Sequence, residues 1–416
     1  MRTHTRTPQG FSSLRVGTFI AVALAVGLGG LSCRGPGLAK QAEPQWRLAA
    51  APLPTPVKAI WVARFHYRYA DDIRTIMANC AAEGCNTVLW QVRGEGTVSY
   101  PSKIEPWARE YDFKDPGFDP LAVAVEAAHQ HGLRIEAYVN VMPGWKGKEP
   151  PPADLRPKQL YHAHPDWFLH DAAGNQQPLG EFYVVVNPCW PEVRKHIVSV
   201  VDEIVSKYDV DGVHLDYVRY AWDGVPKAKD KYPRDAKTLG LYRRETGHAP
   251  DDDVKAWDHW RANQITRLVA DIRATVEKRR PGLPLTAAVW RSPQRGYNEF
   301  LQNSVAWLRS GLVDAVMPMA YSAQLEPFAD DVAKFRQLAS GRRVVPGIGL
   351  YLQDTEEQAR QQVQRCEGWG GDFALFSYES LYPTAGDRKL SAKAREDSQR
   401  LRHVRRTAIQ SAINAR

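Results

Sequence analysis

Cysteine is scarce in this chain of 416 residues, which contains only five. They are Cys33, Cys80, Cys85, Cys189 and Cys366. No CxxC pair and no Cys/His spacing typical of zinc ligands occurs, so a structural zinc site has no support. With Cys33 set apart, the other four could form two disulfides in an oxidising compartment, and Cys80 and Cys85 are close enough in sequence to pair. Free buried thiols are the alternative, and both interpretations stay open.

Long apolar runs are also rare. Only the run from Val16 to Leu31 approaches the hydrophobicity of a membrane span, so a polytopic membrane protein is excluded. Arginines and no acidic residue precede this run, which is the pattern of a secretory signal. The run leads into Ser32-Cys33, which resembles a bacterial lipoprotein signal, and cleavage after Ala39 is the alternative. We predict a lipoprotein-type signal peptide over residues 1–33, with Cys33 lipidated. The protein is then exported and lipid-anchored in the periplasm or at the outer membrane.

A basic face on the body of the chain is lacking too. The net charge is +8, but the excess lies in the first 15 residues and in residues 387–416, and between them the charges nearly cancel. A nucleic-acid partner therefore has no support. We expect residues 387–416 to form a basic helix or tail with a solvated face, and a contact with phosphate or anionic lipid is the alternative. Residues 34–56, rich in Ala, Pro and Gly, are predicted to be a tether.

Short β-rich runs alternate with segments of helical period from Lys58 onward, which predicts parallel β/α units. The predicted strands are Ala59–Phe65, Thr87–Arg93, Arg134–Val141, Gly212–Val218, Leu285–Arg291, Ala315–Tyr321, Val344–Leu350 and Phe373–Tyr378. Eight units predict an α/β fold, a (β/α)8 TIM barrel over residues 57–386. An open doubly wound sheet is the alternative. No GxGxxG follows the first strand, so a dinucleotide cofactor has no support.

Long loops are predicted after strands three and four, over Met142–Pro188 and Tyr220–Asp253. Both leave the C-terminal ends of their strands, the face at which barrels of this kind carry their chemistry.

Polar residues interrupt the first four strands at every second position, where a buried parallel strand should be apolar. They are Arg64 and His66, then Gln91, Arg93 and Glu95, then Glu136, Tyr138 and Asn140, then His214 and Asp216. We expect them to face the barrel interior near its mouth. A structural network is one interpretation, and a substrate site with its own ion pairs is the other.

Asp216 is the strongest catalytic candidate, because a carboxylate that ends a buried strand can act as a nucleophile or as a general acid or base. Glycoside hydrolysis ordinarily needs a second carboxylate. We rank Glu95, which heads a loop, slightly above Glu379, which ends strand eight, while Glu136 lies deeper.

Several blocks in fixed order resemble the glycosyl hydrolase-like 10 family of bacterial barrel proteins. They include Ile60-Trp61-Val62-Ala63-Arg64, Gln91-Val92-Arg93, Tyr100-Pro101-Ser102-Lys103-Ile104-Glu105-Pro106-Trp107, His164-Pro165-Asp166-Trp167 and Asp211-Gly212-Val213-His214-Leu215-Asp216-Tyr217. The resemblance implies a hydrolase of cell-envelope glycans, with peptidoglycan strands stripped of their peptides as the best-supported substrate. The family's strand-four motif often carries two adjacent acidic residues, and here the second is Tyr217.

The sequence thus predicts a monomeric glycoside hydrolase with a glycan substrate and with no cofactor or metal. Arg64, Arg93, Asn140, Tyr217, Arg219 and Tyr321 are expected to hold the sugar. One alternative is a non-catalytic glycan-binding protein on a degenerate barrel. Another is a metal-dependent deacetylase that uses His66, His162 or His164.

Overall fold

The computed structural model describes residues 51–222 and 224–414. The predicted signal peptide, its Cys33 and most of the predicted tether lie outside these residues. Within the described part of the chain, no helix is both long enough and apolar enough to cross a membrane.

Nine parallel strands of the described residues form one sheet, and two further strands form an antiparallel pair. The strands are β1 (Lys58–Val62), β2 (Thr87–Arg93), β3 (Arg134–Asn140), β4 (Pro143–Gly147), β5 (Gly180–Val185), β6 (Gly212–Asp216), β7 (Leu285–Val289), β8 (Ala315–Pro318), β9 (Arg343–Val344), β10 (Gly347–Gly349) and β11 (Phe373–Phe376). The order in the large sheet is β10-β11-β1-β2-β3-β6-β7-β8-β9.

The two ends of this sheet meet, because only Val345 and Pro346 separate β9 from β10. The Val345 N–H donates to the carbonyl of Val316 on β8 at 3.0 Å, and the Pro346 carbonyl accepts from Ala374 on β11 at 2.8 Å. β9 and β10 therefore share one position in a ring of eight, and the proline interrupts the strand because it has no N–H to donate. The prediction of a (β/α)8 barrel is confirmed, and the open sheet is excluded.

Helices connect the strands and cover the outside of the ring. They are α1 (Ala70–Ala82), α2 (Pro120–Gln130), α3 (Leu160–Ala163), α4 (Pro191–Lys207), α5 (Ala228–Lys231), α6 (Ala236–Thr246), α7 (Val254–Arg279), α8 (Pro293–Phe300), α9 (Ser304–Arg309), α10 (Leu325–Leu338), α11 (Glu356–Gly368) and α12 (Ala392–Asn414). Their starts follow local chemistry: the Asp119 side chain accepts from the N–H groups of Leu121 and Ala122, and Pro120 occupies the first turn of α2.

Alternate residues of each strand enter two separate apolar layers. One layer lies between the sheet and the helices and includes Val88, Trp90 and Val139. The other includes Trp61 and Leu89 and fills the interior of the ring. This division follows from the two-residue period of a strand. Alternate side chains point outward to the helices, and the side chains between them point into the ring.

The two long insertions lie where the sequence places them. The insertion after β3 contains α3 and the antiparallel pair β4–β5, and the insertion after β6 contains α5 and α6. The sequence did not predict β4 and β5. Their register is irregular, and glycines stand at Gly147 and Gly180, so the alternation that marks a strand is weak.

The C-terminal segment forms α12, which packs against α11. Two of its arginines are buried: Arg402 forms an ion pair with Asp387 at 2.5 Å, and Arg405 donates to the carbonyl of Gln353 at 2.8 Å. The four cysteines within the described residues are all buried free thiols. No disulfide therefore links them in this structure.

Candidate active site

A cavity of about 290 Å³ opens among the C-terminal ends of the strands, and Asp216 lies in its wall. Of the residues predicted to form the site, the lining includes Asp216, Arg64, Asn140, Tyr217, Arg219 and Tyr321. Trp61, Phe65, Gln91, Tyr138, Lys146, Tyr183 and Phe376 complete most of the wall. We call this space the Asp216 cavity.

Three groups surround the Asp216 carboxylate, and each favours a negative charge. The Tyr138 hydroxyl donates to Oδ2 at 2.7 Å, and the Tyr217 N–H donates to Oδ1 at 2.6 Å. Nη1 of Arg219 lies 3.6 Å from Oδ1. Burial and the nearby Asp216 raise the pKa of Tyr138 well above its ordinary value, so Tyr138 keeps the proton that it donates. A carboxylate in a cavity wall can act as a nucleophile or as a base.

Tyr217 has a left-handed backbone conformation, with φ of +47°. That conformation is strained for a residue with a bulky side chain, and such strain concentrates at functional sites. The Tyr217 ring packs edge-on against Tyr183, with centroids 4.9 Å apart, and the Arg219 guanidinium stacks over it at 4.4 Å. The turn after β6 thus brings the ring and the guanidinium together beside Asp216.

Two buried polar groups in the cavity wall lack hydrogen-bond partners among the described residues. They are Nε and Nη1 of Arg219 and Oδ1 of Asn140. Both residues are almost fully buried. Buried polar atoms are rarely left unpaired, so these donors and this acceptor are suited to the hydroxyls or charged groups of a ligand.

Arg64 lies two residues after the end of β1, and carboxylates fix its side chain. Nη2 donates to Glu95 at 2.8 Å, and Nε lies 3.1 Å from Glu110. Gly94 makes room for it, since a Cβ there would lie 2.5 Å from Nε of Arg64. The backbone N–H of Arg64 donates to the side-chain oxygen of Gln91 at 3.0 Å. Arg64 therefore presents a guanidinium of defined position to the cavity.

Glu95, the preferred partner carboxylate from the sequence, is not part of the cavity lining. It is fully buried, and Arg64 and Arg109 form ion pairs with its two oxygens. Burial raises the pKa of Glu95, and the two arginines oppose that change. The geometry makes Glu95 a positioning residue for Arg64.

Glu379 lies in an adjoining depression rather than in the Asp216 cavity. Its side chain is 46% exposed, and the contact with His66 at 3.6 Å lowers its pKa. Asp216 is therefore the single carboxylate that lines the cavity within the described part of the chain.

Arg93 was expected to hold the sugar, but it does not line the cavity. The register between β2 and β3 shifts after Gln91, so that Arg93 pairs with Val139 instead of with an inward residue. Arg93 is fully buried, and its guanidinium donates to both oxygens of Glu105 at 2.7 and 2.8 Å. Burial alone would raise the pKa of Glu105, but Arg93 and His196 lower it to about 2. This bulge turns the predicted ligand into a structural ion pair.

A second polar layer lies deeper in the ring. Trp61 donates to His214 at 3.0 Å, His214 contacts Thr286 at 2.8 Å, and Thr286 donates to Glu136 at 2.5 Å. Burial raises the pKa of Glu136 to about 7 and lowers that of His214 to about 3. Neutral groups joined by hydrogen bonds fit the structural interpretation for this layer.

The histidines of the deacetylase alternative have other partners. His66 accepts from the N–H of Ala63, His162 contacts the carbonyl of Pro151, and His164 stacks on Trp167 at 3.8 Å. No group of three or more potential metal ligands occurs among the described residues.

Sequence reasoning missed Lys146 and Tyr183, which belong to β4 and β5, because that strand pair was not predicted. Tyr183 accepts from Nη1 of Arg64 at 3.4 Å and lies 3.5 Å from Nδ2 of Asn140. It missed Trp61 as well, because the residues expected to face inward in strand one, Arg64 and His66, have the opposite parity, whereas the structure places Trp61 in the interior layer.

A (β/α)8 barrel with a carboxylate and polar donors at its mouth is an arrangement suited to chemistry of glycosidase type. The solved glycoside hydrolase domain of PgaB (BpsB) from Bordetella bronchiseptica shares this fold, with a TM-score of 0.62 at 12% identity over 87% of this chain and 99% of that domain.

The chain belongs to the glycosyl hydrolase-like 10 family, whose model matches residues 56–365. Among curated relatives, the glycosyl hydrolase DigH of Escherichia coli K12 is 31% identical over 281 residues, which are 62% of this chain and 58% of that protein. The glycosyl hydrolase YngK of Bacillus subtilis is 28% identical over 57% of this chain and 46% of that protein. The chain thus spans roughly half the length of these relatives.

Proposed function

We propose that this protein is an exported glycoside hydrolase that cleaves cell-envelope polysaccharide, with denuded peptidoglycan strands as its substrate. The observation that carries the proposal is the Asp216 carboxylate at the mouth of a barrel of glycosidase type, with three groups around it that favour its negative charge. In this role Asp216 attacks the anomeric carbon or activates the water that does so.

The charges of the cavity favour a glycan that carries carboxylates. Arg64, Lys146 and Arg219 line the cavity with a single carboxylate. Glu95 and Glu110 compensate Arg64, and Asp216 lies beside Arg219, whereas Lys146 lies over the Tyr183 ring at 5.3 Å. The lactyl carboxylate of muramic acid in a denuded strand would complement this excess of positive charge.

The second catalytic group must protonate the leaving oxygen. Both oxygens of Glu95 are already in ion pairs, so Glu95 has no free position for a substrate. Glu379 is half exposed beside the cavity, and we assign it the acid role. Its contact with His66 would have to weaken when substrate binds, because that contact lowers the pKa of Glu379.

The test compares the full-length wild-type chain, purified in detergent, with Asp216→Asn and Glu379→Gln. Release of reducing ends from denuded glycan strands is the readout. We expect turnover by the wild type and loss of turnover in both variants. Equal activity of wild type and Asp216→Asn would remove Asp216 from the mechanism.

A non-catalytic glycan-binding protein is the second candidate, and the lone carboxylate in the described cavity lining favours it. In that case the wild type would bind denuded strands without releasing reducing ends, and Asp216→Asn would bind them as well.

Export and lipid anchoring also belong to the proposal. The arginines before the apolar run 16–31, and Cys33 after it, support both. Labelling of the wild type with a radioactive fatty acid, and its loss in Cys33→Ala, would test the anchor.

A further inference from the structure

A depression of about 380 Å³ adjoins the Asp216 cavity, and Phe65 lines both. Tyr351, which also lines the depression, packs against two residues of the cavity wall. Its ring centroid lies 5.9 Å from that of Tyr321 and 6.1 Å from that of Phe376. The two hollows are therefore neighbours, and aromatic rings form the boundary that they share.

The two rings on this path are unusually exposed for a chain that buries most of its aromatic side chains. Phe65 is 45% exposed and Tyr351 is 50% exposed. Large apolar groups left in water beside a cleft commonly mark a ligand surface. A flat ring of this kind offers its face to the C–H side of a sugar ring at little entropic cost.

The remaining wall of the depression is mixed: Leu390 and Leu401 line it together with several polar side chains. Glu379, Ser380, Thr384 and Ser398 contribute hydroxyl and carboxylate groups to it. These groups can exchange hydrogen bonds with the hydroxyls of a sugar. An aromatic floor with polar groups in the wall matches the two faces of a saccharide ring.

The basic helix α12 holds both rims of the depression. Arg405 donates to the carbonyls of Gln353 at 2.8 Å and Tyr351 at 3.4 Å, and so fixes the segment that carries the tyrosine. Arg402 donates to the carbonyl of Glu379 at 2.8 Å. Both arginines are buried. These two arginines lie beyond residues 56–365, the part of the chain that the family model matches.

We propose that this depression is an outer subsite that binds a further sugar ring of the same glycan chain, with Tyr351 and Phe65 as stacking residues. The inference rests on the proposed function, because only a polysaccharide that enters the Asp216 cavity has a further ring to place there. Under it, α12 is a structural support of the substrate site, with Arg402 and Arg405 buried in that role.

The experiment measures binding to full-length Asp216→Asn, in which a bound glycan is not cut. The probes are disaccharide, tetrasaccharide and octasaccharide fragments of denuded peptidoglycan strands. We expect affinity to rise with length, and we expect Tyr351→Ala to weaken octasaccharide binding about tenfold, as the loss of one stacked ring would. Tyr351→Phe keeps the ring and should keep the affinity.

Tyr69→Ala is the matched control. Tyr69 is 52% exposed and contacts Arg388, but it lines neither hollow. Two results would overturn the inference and leave the proposed function intact. In one, Tyr351→Ala still shows the rise of affinity with fragment length. In the other, Tyr69→Ala loses that rise as fully as Tyr351→Ala does. Failure of every fragment to bind, together with no turnover by the wild type, would overturn both. Thermal melts of each variant establish that it is folded.

Discussion

The mouth and the floor of the barrel interior each contain a carboxylate, and the two groups have opposite surroundings. Asp216 at the mouth has two hydrogen-bond donors and an arginine beside it. Glu136 at the floor has one strong donor, Thr286, and complete burial, which raises its pKa to about 7. Depth along parallel strands thus separates a carboxyl group that lines the cavity from one enclosed in the core, where burial raises the pKa.

Replacement of the Asp216 carboxylate by an amide should have the largest effect on activity. Asp216→Asn keeps the shape but removes the negative charge, so we expect kcat to fall roughly a thousandfold or more. Reducing-end release from denuded strands measures it. The floor provides the matched control, Glu136→Gln, which should retain activity. A similar loss of activity in both variants would contradict the division into mouth and floor.

A third carboxylate, Glu105, lies outside the ring and tests whether the surroundings of a buried carboxylate decide its role. Its partner Arg93 is fully buried, and Arg93→Ala would leave the buried Glu105 without its arginine, with only His196 beside it. We expect the free energy of unfolding to fall by about 3–5 kcal/mol. Urea denaturation measures this loss. A stable variant with a raised KM would instead return Arg93 to the substrate site.

Glu136, at the floor, should also make the free energy of unfolding depend on pH. The pKa of Glu136 is about 7 in the folded chain against an ordinary 4.5, so the folded state binds the proton more tightly than the unfolded state. Its contribution is full below about pH 4.5 and is lost as the pH rises toward 7, by up to about 3 kcal/mol. Urea denaturation at about pH 4.5 and about pH 8 should show that Glu136→Gln loses less stability than wild type on this rise. The same pH dependence in both proteins would be inconsistent with a neutral Glu136.

The smallest effect should come from the donor that distinguishes the mouth. Tyr138→Phe removes the 2.7 Å hydrogen bond to Asp216 and leaves the ring in place. We expect kcat/KM to fall about tenfold, the value of one hydrogen bond to a charged group, with little change in melting temperature. Unchanged kcat/KM would show that Tyr138 does not support the reactive carboxylate.

Much of the fold was predictable because hydrophobic period and turn residues are local signals. β2 begins and ends where the sequence predicts, and the inward parity of Gln91, Tyr138 and Asp216 is correct. The predicted strands extend one to three residues too far at several ends, because the polar residues at the mouth continue the alternation after the ladder has ended.

The errors at the site have different causes. Arg93 leaves the predicted face because a single bulge after Gln91 changes the register, and register is a property of two strands rather than of one. Glu95 was favoured as a free carboxylate, but its ion pair with Arg109 depends on a loop whose path is set by tertiary contacts. Tyr183 reaches the cavity only through the irregular pair β4–β5.

The pairing of β1 with β11, which joins the first strand of the ring to the last, has a consequence for how the molecule is made. β11 pairs with β1 and with β10, and the Val57 N–H donates to Asp372, which lies 315 positions further along the chain. During synthesis the earliest strand must wait, with one edge open, until the chain has been made as far as Phe373. Until then, that edge is open to pairing with other chains.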